Sequence, residues 1–316
     1  MKRWRSFLVF LLILTLVFSL AAALSGCAKS DVSDGSGDSG TSEGPGNSDG
    51  SDGADDTSSS DSGSAGYRLS AQSFTVETEH LAYCDQDVAP NQDLATGEIR
   101  YLLLAEAGRK DFSALDEVLQ KQKETLIADG IDRVAEFGQS ALEWEDYKRE
   151  DFYPYSSNVF VSIIRADSQM LSYLLEWNEY CGGVHPSSYY EGFNLDVKTG
   201  ASISLDQVVS DIPALKALVM EKLLAEYGED GFYADLDALL ADYFAWDEEA
   251  EIYRPSWTLS EESLTISFSP YEIAPYAAGL LQAEIRFDEV PEIFTGAYLP
   301  PECSRTTVPS ALPPAA

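Results

Sequence analysis

Residues 28–66 form a low-complexity segment that limits where this chain can fold. These 39 residues are almost all Ser, Gly and Asp, with nine acidic residues and one base, Lys29. Such a composition buries too little apolar surface to offset the entropy lost on ordering. We therefore predict a disordered acidic linker there, a folded region over residues 67–302 and a disordered tail over residues 303–316.

The first 27 residues combine the features of a bacterial export signal. Three basic residues within the first five precede an apolar run, Phe7–Ala23, and Leu-Ser-Gly-Cys follows at positions 24–27. This order is typical of a secretory signal, and the last four residues match a lipobox. It predicts a signal peptide over residues 1–26 and a lipid-modified, palmitate-bearing Cys27. The alternative is a retained transmembrane helix, but the run is shorter than the roughly 20 residues that span a bilayer.

Lipid on Cys27 would hold the protein on the outer face of the bacterial cytoplasmic membrane, exposed to the cell wall. The formal net charge is −34, and removal of residues 1–26 would make it −37 because three bases are lost. Nucleic acid is therefore not expected as a partner, since phosphate binding requires a basic surface. The acidity is consistent either with colloidal repulsion or with attraction of a cationic partner.

The folded region contains strand and helix patterns in separate blocks. Apolar residues recur at period two in strands and at spacings of three and four in helices. Strands are predicted at residues 74–78, 98–105, 158–165, 169–180, 189–197, 257–259, 264–268 and 282–287. Helices are predicted to begin at Asp111, to run from Asp211 to Gly228 and to cover residues 236–246. This order predicts an α+β fold, an antiparallel sheet packed by a few helices, with an N-terminal subdomain over 67–155 and a C-terminal domain over 156–302.

Three motifs in the C-terminal part resemble those of one family. The sequence Glu-Tyr-Cys-Gly-Gly-Val-His-Pro at 179–186 is followed by Asn-Leu-Asp at 194–196 and Thr-Gly at 199–200. Residues 268–279 read Phe-Ser-Pro-Tyr-Glu-Ile-Ala-Pro-Tyr-Ala-Ala-Gly. Order and spacing resemble the RsiV-like extracytoplasmic domain family, named for an anti-sigma-V factor, and indicate a DUF3298-type lipoprotein.

The resemblance implies a non-enzymatic binding module that faces the cell wall and takes lysozyme or cell-wall glycan as its ligand. Anti-sigma activity is not expected, because only six residues precede the apolar run and leave no cytoplasmic segment. The candidate ligand-binding residues are Tyr180, Gly182, Gly183, His185, Tyr189, Tyr190, Tyr271 and Tyr276. Each also has a structural interpretation: a glycine turn with positive φ, a loop histidine bonded to the backbone, or aromatic packing on a sheet.

No assembled catalytic site is apparent in the sequence. There is no nucleophile-elbow motif and no phosphate-binding loop, and the two histidines, His80 and His185, have no metal-ligand spacing. We therefore predict no catalytic residues, metal or cofactor. The alternative is a cell-envelope hydrolase or a small-molecule-binding lipoprotein, which would need a deep pocket with converging polar groups.

Three cysteines remain after Cys27, and an oxidising compartment would permit a disulfide. They are Cys84, Cys181 and Cys303. Three single pairings are possible. Pairing of Cys84 with Cys181 is favoured because both lie in the predicted sheet region. The ligand, the pairing and the oligomeric state stay open at this point.

Overall fold

The computed structural model describes residues 68–233, 235–247 and 252–300. The predicted signal peptide, Cys27, the acidic linker, Cys303 and the tail lie outside these residues. The described residues form one compact unit.

Five strands form a sheet in chain order, here called sheet 1. They are β1 (Phe74–Tyr83), β2 (Ala95–Leu104), β3 (Tyr155–Ala166), β4 (Met170–Tyr180) and β5 (Ser187–Asp196). Neighbouring strands pair antiparallel, except that β2 and β3 are parallel. The predicted α+β class is confirmed, and the predicted antiparallel pairing is corrected at β2–β3. The reason is the long helical connection, which returns the chain to the end of the sheet where β2 began.

That connection contains a short helix, α1 (Glu106–Arg109), and a long one, α2 (Ser113–Glu143), which covers one face of sheet 1. Leu115, Leu119 and Leu126 are buried at the one-turn and two-turn spacing of an amphipathic helix. Gly138 allows α2 to approach β1 closely, because a Cβ at this position would lie 2.0 Å from Cδ1 of Tyr83.

A second sheet, sheet 2, has three antiparallel strands in the order β10-β9-β8. The remaining elements are α3 (Leu205–Val208), α4 (Ile212–Tyr227), α5 (Leu236–Tyr243), β6 (Trp246–Asp247), β7 (Ile252–Tyr253), β8 (Ser256–Leu259), β9 (Ser263–Phe268) and β10 (Leu281–Arg286). Short 3-10 turns lie at Ala71–Ser73, Asp146–Lys148, Glu229–Gly231, Tyr276–Ala278 and Pro291–Ile293. Helices α3, α4 and α5 share a hydrophobic core with sheet 2.

The predicted limits of α4 are confirmed by its end groups. The Asp211 carboxylate accepts the N–H of Ala214 at 2.9 Å, and Gly228 ends the helix at φ 72°. A capping carboxylate satisfies a backbone donor that has no partner within the helix. The next helix ends earlier than predicted, at Tyr243, because Trp246 already belongs to β6.

A buried hydrogen-bond network joins the two sheets. The Ser172 hydroxyl donates to Oδ1 of Asn194 at 2.7 Å, and the Asn194 amide donates to the carbonyl of Trp257 at 2.8 Å. The N–H of Leu259 donates to Oγ of Ser172 at 3.0 Å. Because buried polar groups are costly unless paired, this network fixes β8 over β4 and β5.

Sheet 1 continues across the predicted boundary between residues 155 and 156. Both Tyr155 and Ser156 belong to β3, which is hydrogen-bonded to β2 on one side and to β4 on the other. Backbone pairing therefore joins the two predicted parts of the folded region.

Candidate functional site

The turn between β4 and β5 depends on two glycines. Gly182 and Gly183 have φ of 89° and 96°, a region that side chains with a Cβ rarely adopt. The Tyr180 hydroxyl donates to the carbonyl of Gly183 at 3.3 Å and closes the turn. The predicted positive-φ turn is confirmed, and it leaves Val184 96% exposed at the tip of the hairpin.

Three ring side chains meet beside this turn and are called the aromatic cluster: His185, Tyr271 and Tyr276. The rings of His185 and Tyr276 stack with centroids 3.7 Å apart and planes 11° apart. The ring of Tyr271 lies 5.7 Å from that of Tyr276, and its hydroxyl lies 3.3 Å from Nε2 of His185. Two segments distant in the sequence therefore form one exposed surface.

Hydrogen bonding assigns the tautomer of His185. Its Nδ1 lies 2.8 Å from the carbonyl of Pro186, which can only accept, so Nδ1 carries the proton. In the neutral imidazole Nε2 is then an acceptor, and the Tyr271 hydroxyl donates to it. This histidine is thus held in one orientation, and one of its partners is the local backbone, as the structural interpretation expected.

The loop after β9 positions both tyrosines of the cluster. Its Ser269 hydroxyl accepts the N–H of Tyr190 at 3.0 Å, which attaches the loop to the free edge of β5. The N–H of Ser269 donates in turn to Oε2 of Glu272 at 2.7 Å. Tyr271 adopts φ 73°, an uncommon conformation for an aromatic residue.

Glu272 is a titratable group built into this loop. Desolvation of its carboxyl group raises its pKa to about 7, although the residue as a whole keeps solvent exposure and the hydrogen bond from the Ser269 N–H acts in the opposite direction. A carboxyl group beside the aromatic cluster therefore changes charge near neutral pH.

The other candidate tyrosines make their ring and hydroxyl contacts outside the aromatic cluster. Tyr189 points to the α2 side of sheet 1 and stacks on Trp177, with centroids 5.0 Å apart. Tyr180 packs edge-on against Tyr155 at 6.2 Å. Tyr190 points to the opposite side, where its hydroxyl donates to Oε1 of Glu176 at 3.3 Å.

Sequence reasoning missed polar and aromatic residues beside Tyr190. Glu176 is paired with Tyr190 across β4 and β5, and Phe160 is paired with Glu176 across β3 and β4. The guanidinium of Arg100 lies 4.7 Å from the centroid of the Phe160 ring. Alternation along each strand could have assigned the face of each side chain, but the register between strands was needed to place them in one row.

The predicted Cys84–Cys181 disulfide is not formed. Both thiols are free and exposed. Cys84 follows β1 and Cys181 follows β4 at the same end of sheet 1, three strand spacings or about 14 Å apart. A disulfide needs Cα atoms about 5.5 Å apart. Both cysteines lie just beyond strand ends of one sheet, but the sequence did not show that two strands separate β1 from β4.

Three further observations concern the part of the chain that the structure describes. An open cavity lies on α4 and β10, lined by Lys222, Ala225, Glu226, Glu284 and Arg286, none of which belongs to the aromatic cluster. Within the described ranges, no three His, Cys, Asp or Glu side chains are grouped to hold a metal ion. No described helix has the length and apolar character needed to cross a membrane.

Comparison with known proteins identifies one segment of this fold. Residues 208–288 match the DUF3298 family, described as a protein of unknown function. The DUF3298 segment runs from the last residue of α3 to just beyond β10 and includes Tyr271 and Tyr276. No curated protein matches the chain.

Two crystal structures of DUF3298 proteins are similar to this chain. The one from Bacteroides fragilis NCTC 9343 has 16% sequence identity and a TM-score of 0.49, covering 71% of this chain and 94% of its own. The one from Pseudomonas aeruginosa PAO1 has 16% identity and a TM-score of 0.45, covering 72% and 97%.

Proposed function

We propose that this chain is a lipid-anchored, non-enzymatic binding module of the RsiV-like kind, with lysozyme or cell-wall glycan as its ligand. The aromatic cluster is the observation that supports binding best. It presents stacked rings at the tip of a hairpin, where a partner has access to them.

Exposure and backbone conformation both support a binding role for the aromatic cluster. Tyr271 is 54% exposed even though its backbone is held at φ 73°. Such a conformation costs of order 1–3 kcal/mol, and residues that retain it are concentrated at binding sites. Tyrosine is also enriched at interfaces, where a rigid ring gives contact area at a small entropic cost.

The net charge of the chain is compatible with both proposed ligands. With a formal net charge of −34, the protein would attract a basic protein such as lysozyme and would not repel an uncharged glycan. The electrostatic field of the protein raises the rate at which a cationic ligand meets it, but it does not determine where the ligand binds. The contribution of the aromatic rings therefore has to be measured separately.

Titration calorimetry of residues 62–316 with lysozyme and with soluble peptidoglycan fragments tests the proposal. We expect saturable binding of at least one ligand, and Tyr276→Ala to weaken it at least tenfold, or about 1.4 kcal/mol. Tyr153→Ala is the control, because Tyr153 is 78% exposed and lies outside the aromatic cluster. Absence of saturable binding to both ligands at low salt would contradict the proposal. Binding that only salt weakens, with no effect of Tyr276→Ala, would indicate charge attraction alone.

The anchor proposed at Cys27 has its own test. Palmitate fed to cells should label the wild-type protein, and Cys27→Ala should abolish the label, because the thiol is the proposed acceptor. Globomycin should also cause the precursor to accumulate. Undiminished label in the variant would exclude Cys27 as the modified residue.

A further inference from the structure

The face of sheet 1 opposite α2 carries a row of side chains that extends from the aromatic cluster across four strands. The row runs from Tyr190 on β5 through Glu176 on β4 and Phe160 on β3 to Arg100 on β2. All four residues are partly exposed. Tyr190 lies beside the loop that carries Tyr271 and Tyr276, because its N–H donates to Oγ of Ser269 at 3.0 Å.

A second row lies beside the first and consists of hydrogen-bonding groups. Asn158, Asn178 and Ser188 are paired with one another across β3, β4 and β5. The Asn178 amide donates to Oγ of Ser188 at 3.0 Å, and Oδ1 of Asn158 accepts the N–H of Glu98 at 3.0 Å. Each amide keeps further donors or acceptors beyond these bonds.

Sheet 2 limits this surface on one side. The residue on β5 two positions after Tyr190 is Gly192, where a Cβ would lie 2.0 Å from the carbonyl oxygen of Trp257. β8 therefore crosses sheet 1 directly beside the row. The two rows form part of the uncovered area of this face, and the aromatic cluster bounds them at one end.

The chemistry of this surface selects one class of ligand. Tyr276, Tyr190 and Phe160 offer partly exposed apolar ring surface, while amides, a carboxylate and a guanidinium offer directed hydrogen bonds between them. A protein partner would favour a larger apolar centre depleted in charge. An anionic polymer would be repelled by a chain of charge −34. A neutral sugar presents apolar ring faces and many hydroxyl groups, and it matches both features.

We propose that a linear neutral saccharide lies across the strands of sheet 1, with one end on the aromatic cluster and the other near Arg100. This inference rests on the proposed function and specifies the ligand of that same site. The path from β5 to β2 covers three strand spacings, about 14 Å, so a disaccharide on the aromatic cluster would not reach Arg100.

The test compares the dimer and the hexamer of β-1,4-linked N-acetylglucosamine in calorimetric titrations with residues 62–316. We expect the hexamer to bind at least tenfold more tightly than the dimer. Phe160→Ala should remove that advantage and leave the affinity for the dimer unchanged. Tyr276→Ala should weaken both ligands.

A second variant keeps the test valid if Phe160→Ala does not fold. Asn178→Ala removes one partly exposed amide, and we expect it to reduce hexamer affinity at least threefold while the far-ultraviolet circular dichroism stays unchanged. Equal affinities for dimer and hexamer, or a hexamer affinity that neither variant alters, would overturn the saccharide path. Lysozyme binding that depends on Tyr276 would then leave the proposed function standing. Absence of binding to every ligand would refute both.

Discussion

Glu272 is a single titratable residue whose carboxyl group helps to hold the loop after β9 in position. Its carboxylate accepts the N–H of Ser269, whose hydroxyl holds the loop on β5. A folded-state pKa of about 7, compared with 4.5 in an unfolded chain, means that the folded state binds this proton more tightly. Stability from this group is therefore present below about pH 4.5 and is lost as the pH rises towards 7.

Glu272→Gln should remove this pH dependence, because an amide does not titrate and its oxygen can still accept the Ser269 N–H. We expect the urea midpoints of the variant and the wild type to be similar at pH 4. At pH 8 the midpoint of the variant should be higher than that of the wild type. Unfolding followed by tryptophan fluorescence at both pH values measures this. Glu261→Gln, in the exposed turn before β9, is the control and should give the same difference at both pH values. A midpoint difference for Glu272→Gln that does not change with pH would show that Glu272 does not titrate with folding.

Among the secondary-structure elements, the crossing of β8 over β5 leaves no room for a side chain at Gly192. A Cβ there would lie 2.0 Å from the Trp257 oxygen and 2.7 Å from its carbonyl carbon. The contact is with backbone, which the Ser172–Asn194 network holds in place. Relief would require the two sheets to separate, because no flexible side chain can move aside.

Gly192→Ala should therefore destabilise the fold by roughly 3 kcal/mol, at the upper end of overpacking effects. Gly231→Ala is the matched control, because its nearest neighbour is Cβ of Tyr227 at an ordinary 3.5 Å and its φ is not positive. We expect less than about 1 kcal/mol there. Chemical denaturation of both variants measures the difference, and a Gly192→Ala protein as stable as the control would contradict the close crossing.

The strands were predictable from sequence because alternation is a local property. The predicted segment 158–165 lies within β3, and 169–180 differs from β4 by one residue. Contacts set by tertiary folding were not predictable. The Tyr271–His185 contact joins residues 86 positions apart, and the parallel β2–β3 pair depends on the course of α2. The motifs predicted the candidate residues, but the three-dimensional fold determines which of them touch.

For the molecule as a whole, stability should not depend on a disulfide in the described region. The free thiols of Cys84 and Cys181 are exposed and too far apart to join. In residues 62–316 carrying Cys303→Ser, we expect two thiols to react with a chromogenic disulfide reagent without denaturant. The melting temperature should be the same with and without reductant. Fewer than two reactive thiols, together with a lower melting temperature on reduction, would contradict the structure.

The direction of β1 determines how the fold would carry a mechanical load. The chain enters β1 at Phe74, and the ten residues of this strand run about 33 Å to the end of sheet 1 where the β4–β5 hairpin turns. A pull between residue 68 and a ligand on the aromatic cluster would therefore act along the strands. Hydrogen bonds between β1 and β2 lie perpendicular to that axis, so they would be loaded together in shear and not broken one after another.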